Sequence, residues 1–233
     1  MGTFRKALTD SDKEWIRKQK VFFVASAPLD KSGHVNNSPK GYDCLRVLSS
    51  NRVIILDGRG SGCETIAHLR ENKRVTLMFC AFEGPPRIMR LFGTGVVHEP
   101  GTAEFDSLFE EHYGEAWREQ GKFNFVRSII DINVHLVGQS CGYAVPYMEY
   151  KSDRNTLTDH CKSKSQEILA SKAVSDNSCS LDGIPSYLKG TTHAGAWKRN
   201  RALRVLNDMA PWVGGAAVGA ALATAVVRGA LSK

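Results

Sequence analysis

Most of the short patterns that announce a chemistry are missing from this 233-residue chain. Its six cysteines (Cys44, Cys63, Cys80, Cys141, Cys161 and Cys179) stand far apart with no C-x-x-C pair. Such spacing leaves no framework for zinc or disulfides and points to free thiols in a reducing compartment. The seven histidines form no H-E-x-x-H or other ligand-like grouping, so no metal site is expected. There is no G-x-S-x-G elbow and no Walker lysine, which removes the usual signs of a serine hydrolase or a P-loop enzyme. No internal repeat, no apolar leader at the N-terminus and no regular β-α alternation are visible, and the last of these argues against a Rossmann sheet. A strong charge excess is missing as well, except in the tail. Of the net +7, residues from Lys151 onward carry +6, with 12 lysines and arginines against 6 acidic residues. The front of the chain is therefore no basic surface for nucleic acid.

What is present is one sizeable core, at 42% hydrophobic content, with an extension. Residues 1–20 read as a soluble helix, in which Ser11 and Glu14 fit a capping box. The apolar run 21–27, stopped by Pro28, suits a buried strand, and residues 34–38 resume extended after a turn. A strand is expected over 53–57, then a short helix to Asn72 with Cys63, Ile66 and Leu69 on its buried face. The most apolar run, 75–82, is expected to be the central strand. Gly84-Pro85-Pro86 turns it into an antiparallel return over 87–98. Phe105, Leu108, Phe109, Tyr113 and Trp117 share one face of a helix beginning at Thr102. Over 130–136 apolar and polar residues alternate with the period of a half-buried strand. This makes a mainly β fold: a compact, mainly antiparallel barrel with peripheral helices.

The chain is organised around residues 36–65. A polar turn bearing a lysine (Asn37-Ser38-Pro39-Lys40-Gly41) precedes the strand at 53–57. That strand empties into Gly58-Arg59-Gly60-Ser61-Gly62 at a helix start, where backbone N–H groups converge on an anion.

In order, FFVASA, NNSPKG, VIILDGRGSGCET, VTLMFCAF, PPRIMRLFGTG and QSCGYAVP resemble the pyridoxamine 5′-phosphate oxidase-like family of flavin-binding split barrels. The resemblance covers roughly residues 10 to 157 and echoes again in Ser180-Leu181-Asp182-Gly183-Ile184-Pro185. It implies a six-stranded antiparallel split barrel and a homodimer with flavin mononucleotide (FMN) bound at the subunit interface. By position, Ser38, Lys40 and Gly41 fall where family members approach the flavin, and Asn36 and Asn37 beside them are expected to offer amides to the flavin ring edge. Arg59, Gly60, Ser61, Gly62 and Thr65 fall on the phosphate loop and helix start, and Arg87 and Arg90 on the strand facing the cleft. The vitamin B6 enzyme's substrate-binding pattern near the C-terminus has no counterpart here, so pyridoxamine phosphate is not implied as substrate. No catalytic acid-base set stands out, which is consistent with a flavin carrying the chemistry.

The expected organisation is a split-barrel domain over 1–157, a polar, partly helical extension over 158–208 and an Ala/Gly-rich hydrophobic helix within 209–233. The uncharged run 209–227 would span about 28 Å as a helix, near the thickness of a bilayer core. A C-terminal membrane anchor and a soluble tail both fit it, its apolar content being mostly alanine and glycine. The function expected is an FMN-dependent oxidoreductase of the cytoplasm, acting on a small-molecule substrate with a nicotinamide electron donor. The alternative is a flavin- or haem-binding split barrel that carries or senses its ligand without turnover.

Overall fold

The computed structural model describes residues 2–119, 125–189 and 191. The hydrophobic run 209–227 lies outside them. In chain order the elements are β1 (Thr3–Arg5), α1 (Asp10–Lys18), β2 (Phe22–Ser26), β3 (Asn36–Lys40), β4 (Leu45–Val47), β5 (Arg52–Gly58), α2 (Glu64–Asn72), β6 (Arg74–Cys80), β7 (Ile88–His98), α3 (Ala103–His112), α4 (Gly114–Glu119), β8 (Val126–Ser140), α5 (Thr156–Lys162) and α6 (Gln166–Asp176).

All the strands join one antiparallel sheet in the order β3-β2-β6-β7-β8-β5-β4, with β1 added to β8. The six expected strands are β2, β3, β5, β6, β7 and β8. The other two, β1 and β4, are three residues each, too short to carry a period. The run at 75–82 is not central: β6 stands third in the order, and β7 and β8 form the spine. β8 starts at Val126 rather than 130 because its first five residues are all buried, which hides the alternation.

The sheet curls. β-bulges at Phe92/Gly93 and Asp57/Gly58 bend it, and four strands stand between β3 and β5 in the hydrogen-bonded order. Lys40 on β3 nevertheless reaches Asp57 on β5, Nζ to Oδ1 2.8 Å. The two ends of the sheet therefore face each other across a split that side chains bridge and no backbone ladder closes. Inside the curl, Val24, Leu77, Phe79, Leu91, Ile132 and Val137 are fully buried.

Residues 3–5 form β1 rather than the start of the expected helix, which begins at Asp10, and Thr9, not Ser11, caps α1. Its hydroxyl accepts from the Asp12 N–H at 3.2 Å while Asp12 accepts from the Thr9 N–H at 2.8 Å. The helix expected from Thr102 to Trp117 breaks between α3 and α4 at Gly114, where φ is +48°. All five of its predicted apolar residues are buried. The extension is not a separate body: Cys161, Leu169 and Leu188 belong to the same core as the barrel.

Candidate functional site

β5 delivers a carboxylate to the split. Val53, Ile54, Ile55 and Leu56 bury that strand, and Asp57 follows them inward with 1% exposure. An ionised carboxylate in such a place needs cations. It has two: Lys40 at 2.8 Å and Arg127, whose Nε donates to Oδ2 at 2.7 Å. Burial alone would raise the Asp57 pKa, but the Arg127 and Lys40 charges outweigh it and hold the carboxyl at about 2. Arg127 comes from β8 and also donates to the Gly62 carbonyl and to the Asn177 side chain, both at 2.7 Å.

Above this triad lies a cleft of about 340 Å³ lined by Ser38, Lys40, Gly58, Gly60, Ser61, Gly62, Glu64, Thr65 and Arg127. α2 opens onto it with no side-chain cap hydrogen bond at Cys63. Lys40 borders a second cavity too, of about 990 Å³, with Trp15, Tyr42, Phe82, Met148 and Tyr150 among its walls. Polar side chains brace the cleft from behind. Ser38 Oγ donates to Asn36 Oδ1 at 2.9 Å, and Asn36 Nδ2 donates to Thr65 Oγ1 at 3.0 Å and to Ser26 Oγ at 3.3 Å. Ser26 Oγ lies 3.0 Å from Nδ1 of the fully buried His68, whose pKa burial lowers. Burial pushes the nearby thiols of Cys44 and Cys63 up to about 12, which makes them poor thiolate nucleophiles.

The profile of the pyridoxamine 5′-phosphate oxidase family matches residues 8–141, more than half the chain. The chain belongs to that family. The pyridoxamine 5′-phosphate oxidase family protein ustO of Aspergillus flavus is 41% identical over 160 residues, covering 67% of this chain. This chain spans 61% of that relative's length. Among solved structures, HupZ of Group A Streptococcus is 21% identical with a TM-score of 0.42, covering 55% of this chain and 91% of that one. A Clostridium acetobutylicum protein of the pyridoxinephosphate oxidase family, related to general stress protein 26, is 10% identical with a TM-score of 0.44. It covers 60% of this chain and 92% of its own.

Of the residues singled out from the sequence of this family member, Ser38, Lys40, Gly60, Ser61, Gly62 and Thr65 meet in the one cleft. Gly41 lies beyond Lys40 on the wall of the aromatic cavity, and Asn37 is exposed opposite Ala25. Arg59 turns the other way, into a cavity of about 190 Å³ beside Glu99 and Asn177. Arg87 stacks on Trp15 at 4.6 Å and donates to Asp12 and to Gln139. Arg90 faces Ser140 Oγ at 3.4 Å. None of these three arginines lines the cleft. Its arginine is Arg127, which local sequence gave no reason to choose. The available signal was a pair of opposite charges, Asp57 and Arg127, each set against an apolar run of its strand.

Proposed function

We propose that this chain binds FMN, with the phosphate in the Lys40–Arg127 cleft and the ring in the adjoining aromatic cavity. In that reading it acts in the cytoplasm as an FMN-dependent oxidoreductase on a small-molecule substrate, as a homodimer, with a reduced nicotinamide as electron donor. One observation carries the reading: Lys40 is a shared wall between a cationic, amide-lined cleft and a roomy cavity with aromatic walls. A ligand that is anionic at one end and flat and apolar at the other matches both. The donor set fits a phosphate monoester. Two cations face one buried anion, leaving a positive balance at the triad. The Ser61 and Thr65 hydroxyls and the uncapped first turn of α2 add neutral donors. Glu64 lines the same cleft: its Oε1 accepts from the Leu181 N–H at 3.2 Å while the carboxylate lies against Gly62, so it offsets part of the positive balance of the triad.

A bound isoalloxazine would supply the two-electron chemistry. The chain's own residues hold and orient it: Lys40 and Arg127 fix the anionic end, and Trp15, Tyr42 and Tyr150 wall the ring and limit water.

The test is the visible absorption spectrum of the purified full chain, with and without added FMN, followed by anaerobic titration with reduced nicotinamide. A flavin spectrum that bleaches on titration and returns in air supports the oxidoreductase. Tight flavin without bleaching, or a haem spectrum, supports a carrier instead, and no uptake of any flavin overturns the reading. Lys40→Met should weaken FMN by roughly 10- to 150-fold, the worth of one charge-assisted hydrogen bond.

A further inference from the structure

Residues 177–189 lie outside the barrel strands and fold back over the glycine-rich turn. The segment is itself tightly made. Ser180 N–H donates to the Ile184 carbonyl at 2.9 Å, Ser186 N–H to the Ser178 carbonyl at 3.1 Å, and Gly183 turns the chain with φ +78°. Ser186, with no exposed surface, donates its hydroxyl to the Asn177 carbonyl. Asn177 is thus held from behind, and it is only 2% exposed.

Its side-chain amide is used at both ends. Oδ1 accepts from Arg127 Nη1 at 2.7 Å, and Nδ2 donates to the Gly60 carbonyl at 2.9 Å. Asn177 and Arg127 both line the small cavity on the Arg59 side of the turn, while Asn177 does not line the cleft. No peptide in the described chain is cis. In a trans peptide the C=O and the following N–H point in opposite directions. A Gly60 carbonyl drawn toward Asn177 therefore sends the Ser61 N–H away from it. By the same geometry, the Gly62 carbonyl held by Arg127 sends the Cys63 N–H away from the guanidinium.

We propose that Asn177 is a positioning residue for the anion cleft, orienting the Gly60–Ser61 peptide so that the Ser61 N–H serves as a phosphate donor and setting the guanidinium of Arg127. The proposal rests on the reading of the cleft as a phosphate site, and it makes a segment beyond the barrel strands part of that site. Asn177 touches no ligand. It acts through Gly60 and Arg127, so removing it should cost recognition of the phosphate and leave recognition of the ring alone.

The experiment measures dissociation constants of the full chain for FMN, riboflavin and inorganic phosphate alone, in the native protein, in Asn177→Ala, in Ser61→Ala, in Ser61→Pro and in the double variant of Asn177→Ala with Ser61→Pro. Ser61 is exposed; proline there deletes both the N–H and the hydroxyl, so Ser61→Ala, which deletes the hydroxyl alone, is the reference from which the losses in Ser61→Pro and in the double variant are read. This keeps the test open even where Asn177→Ala folds poorly. The expected result is a loss of about tenfold in FMN and phosphate affinity in Asn177→Ala and in Ser61→Pro, riboflavin changing less than about twofold. In the double variant the loss should be little more than in either single one, because both act on one donor. A role confined to stability would lower FMN and riboflavin binding together and keep their ratio native, and that outcome overturns the proposal. Phosphate bound by the native chain with no FMN uptake would remove the flavin reading and leave the proposal to be judged on the phosphate constants. Neither ligand bound would remove both.

Discussion

A carboxylate without contact with water stays ionised only where cations compensate for its lost hydration, and Asp57 has Lys40 and Arg127 for that purpose. Its pKa falls from the ordinary 3.8 to about 2 on folding. The sign follows: the folded form holds the proton less tightly, so the stabilisation is complete above about pH 4 and is lost as the pH falls toward 2. Its size is about 2 kcal/mol. Denaturant unfolding at a series of pH values should show that decline, and Asp57→Asn, which cannot ionise, should show a flatter profile over the same window. Arg127→Met, by contrast, leaves a buried charge half-compensated and should destabilise by about 3–5 kcal/mol at neutral pH. At this scale the sequence was partly legible. Ser38, Lys40, Ser61 and Thr65 were found because a turn and a helix start display their donors locally. Arg59 was singled out for its place in the turn, yet it lines the cavity on the far side of that turn. The arginine that lines the cleft arrives from β8, 70 residues from Asp57, a pairing that no local pattern encodes.

Among the elements, β7 and β8 set the geometry, and their bulge depends on one residue without a side chain. A Cβ on Gly93 would stand 2.7 Å from both the Asn133 carbonyl oxygen and Ile132 Cγ2. The first of these belongs to the backbone of the neighbouring strand and cannot swing aside. Gly93→Ala should therefore cost about 1–3 kcal/mol, the usual range for overpacking, read as a lower midpoint in urea with the m-value unchanged. The long strands and the Phe105-to-Trp117 face were legible because each repeats its apolar period over two turns or more. β1 and β4 were not, being three residues each. The start of β8 was hidden for the opposite reason: a strand buried on both faces has no alternation to read. The cap of α1 shifted from Ser11 to Thr9 because Asp12 does the work expected of Glu14. It accepts from the Thr9 backbone while also meeting Arg5 and Arg87.

Among the described residues the chain does not divide at residue 157. Cys161, Leu169 and Leu188 join the barrel's core, and the segment from Asn177 to Lys189 is hydrogen-bonded to the glycine turn, to α2 and to Glu99. A shared core of this kind predicts one cooperative unfolding transition for residues 2–189, seen at the same temperature by far-ultraviolet circular dichroism and by tryptophan fluorescence. Two separate transitions would mean that the extension folds on its own. Its polar composition gave no sign of that shared core because burial around residues 178–186 is carried by the serines Ser178, Ser180 and Ser186 rather than by an apolar stripe. The open seam of the sheet has a consequence of its own. Since β3 meets β5 through the Lys40–Asp57 ion pair and no backbone ladder joins these two strands, an anion lodged between Lys40 and Arg127 would also act as the latch of the barrel. Loading the protein and stiffening it are then a single event, and the empty form is the looser one.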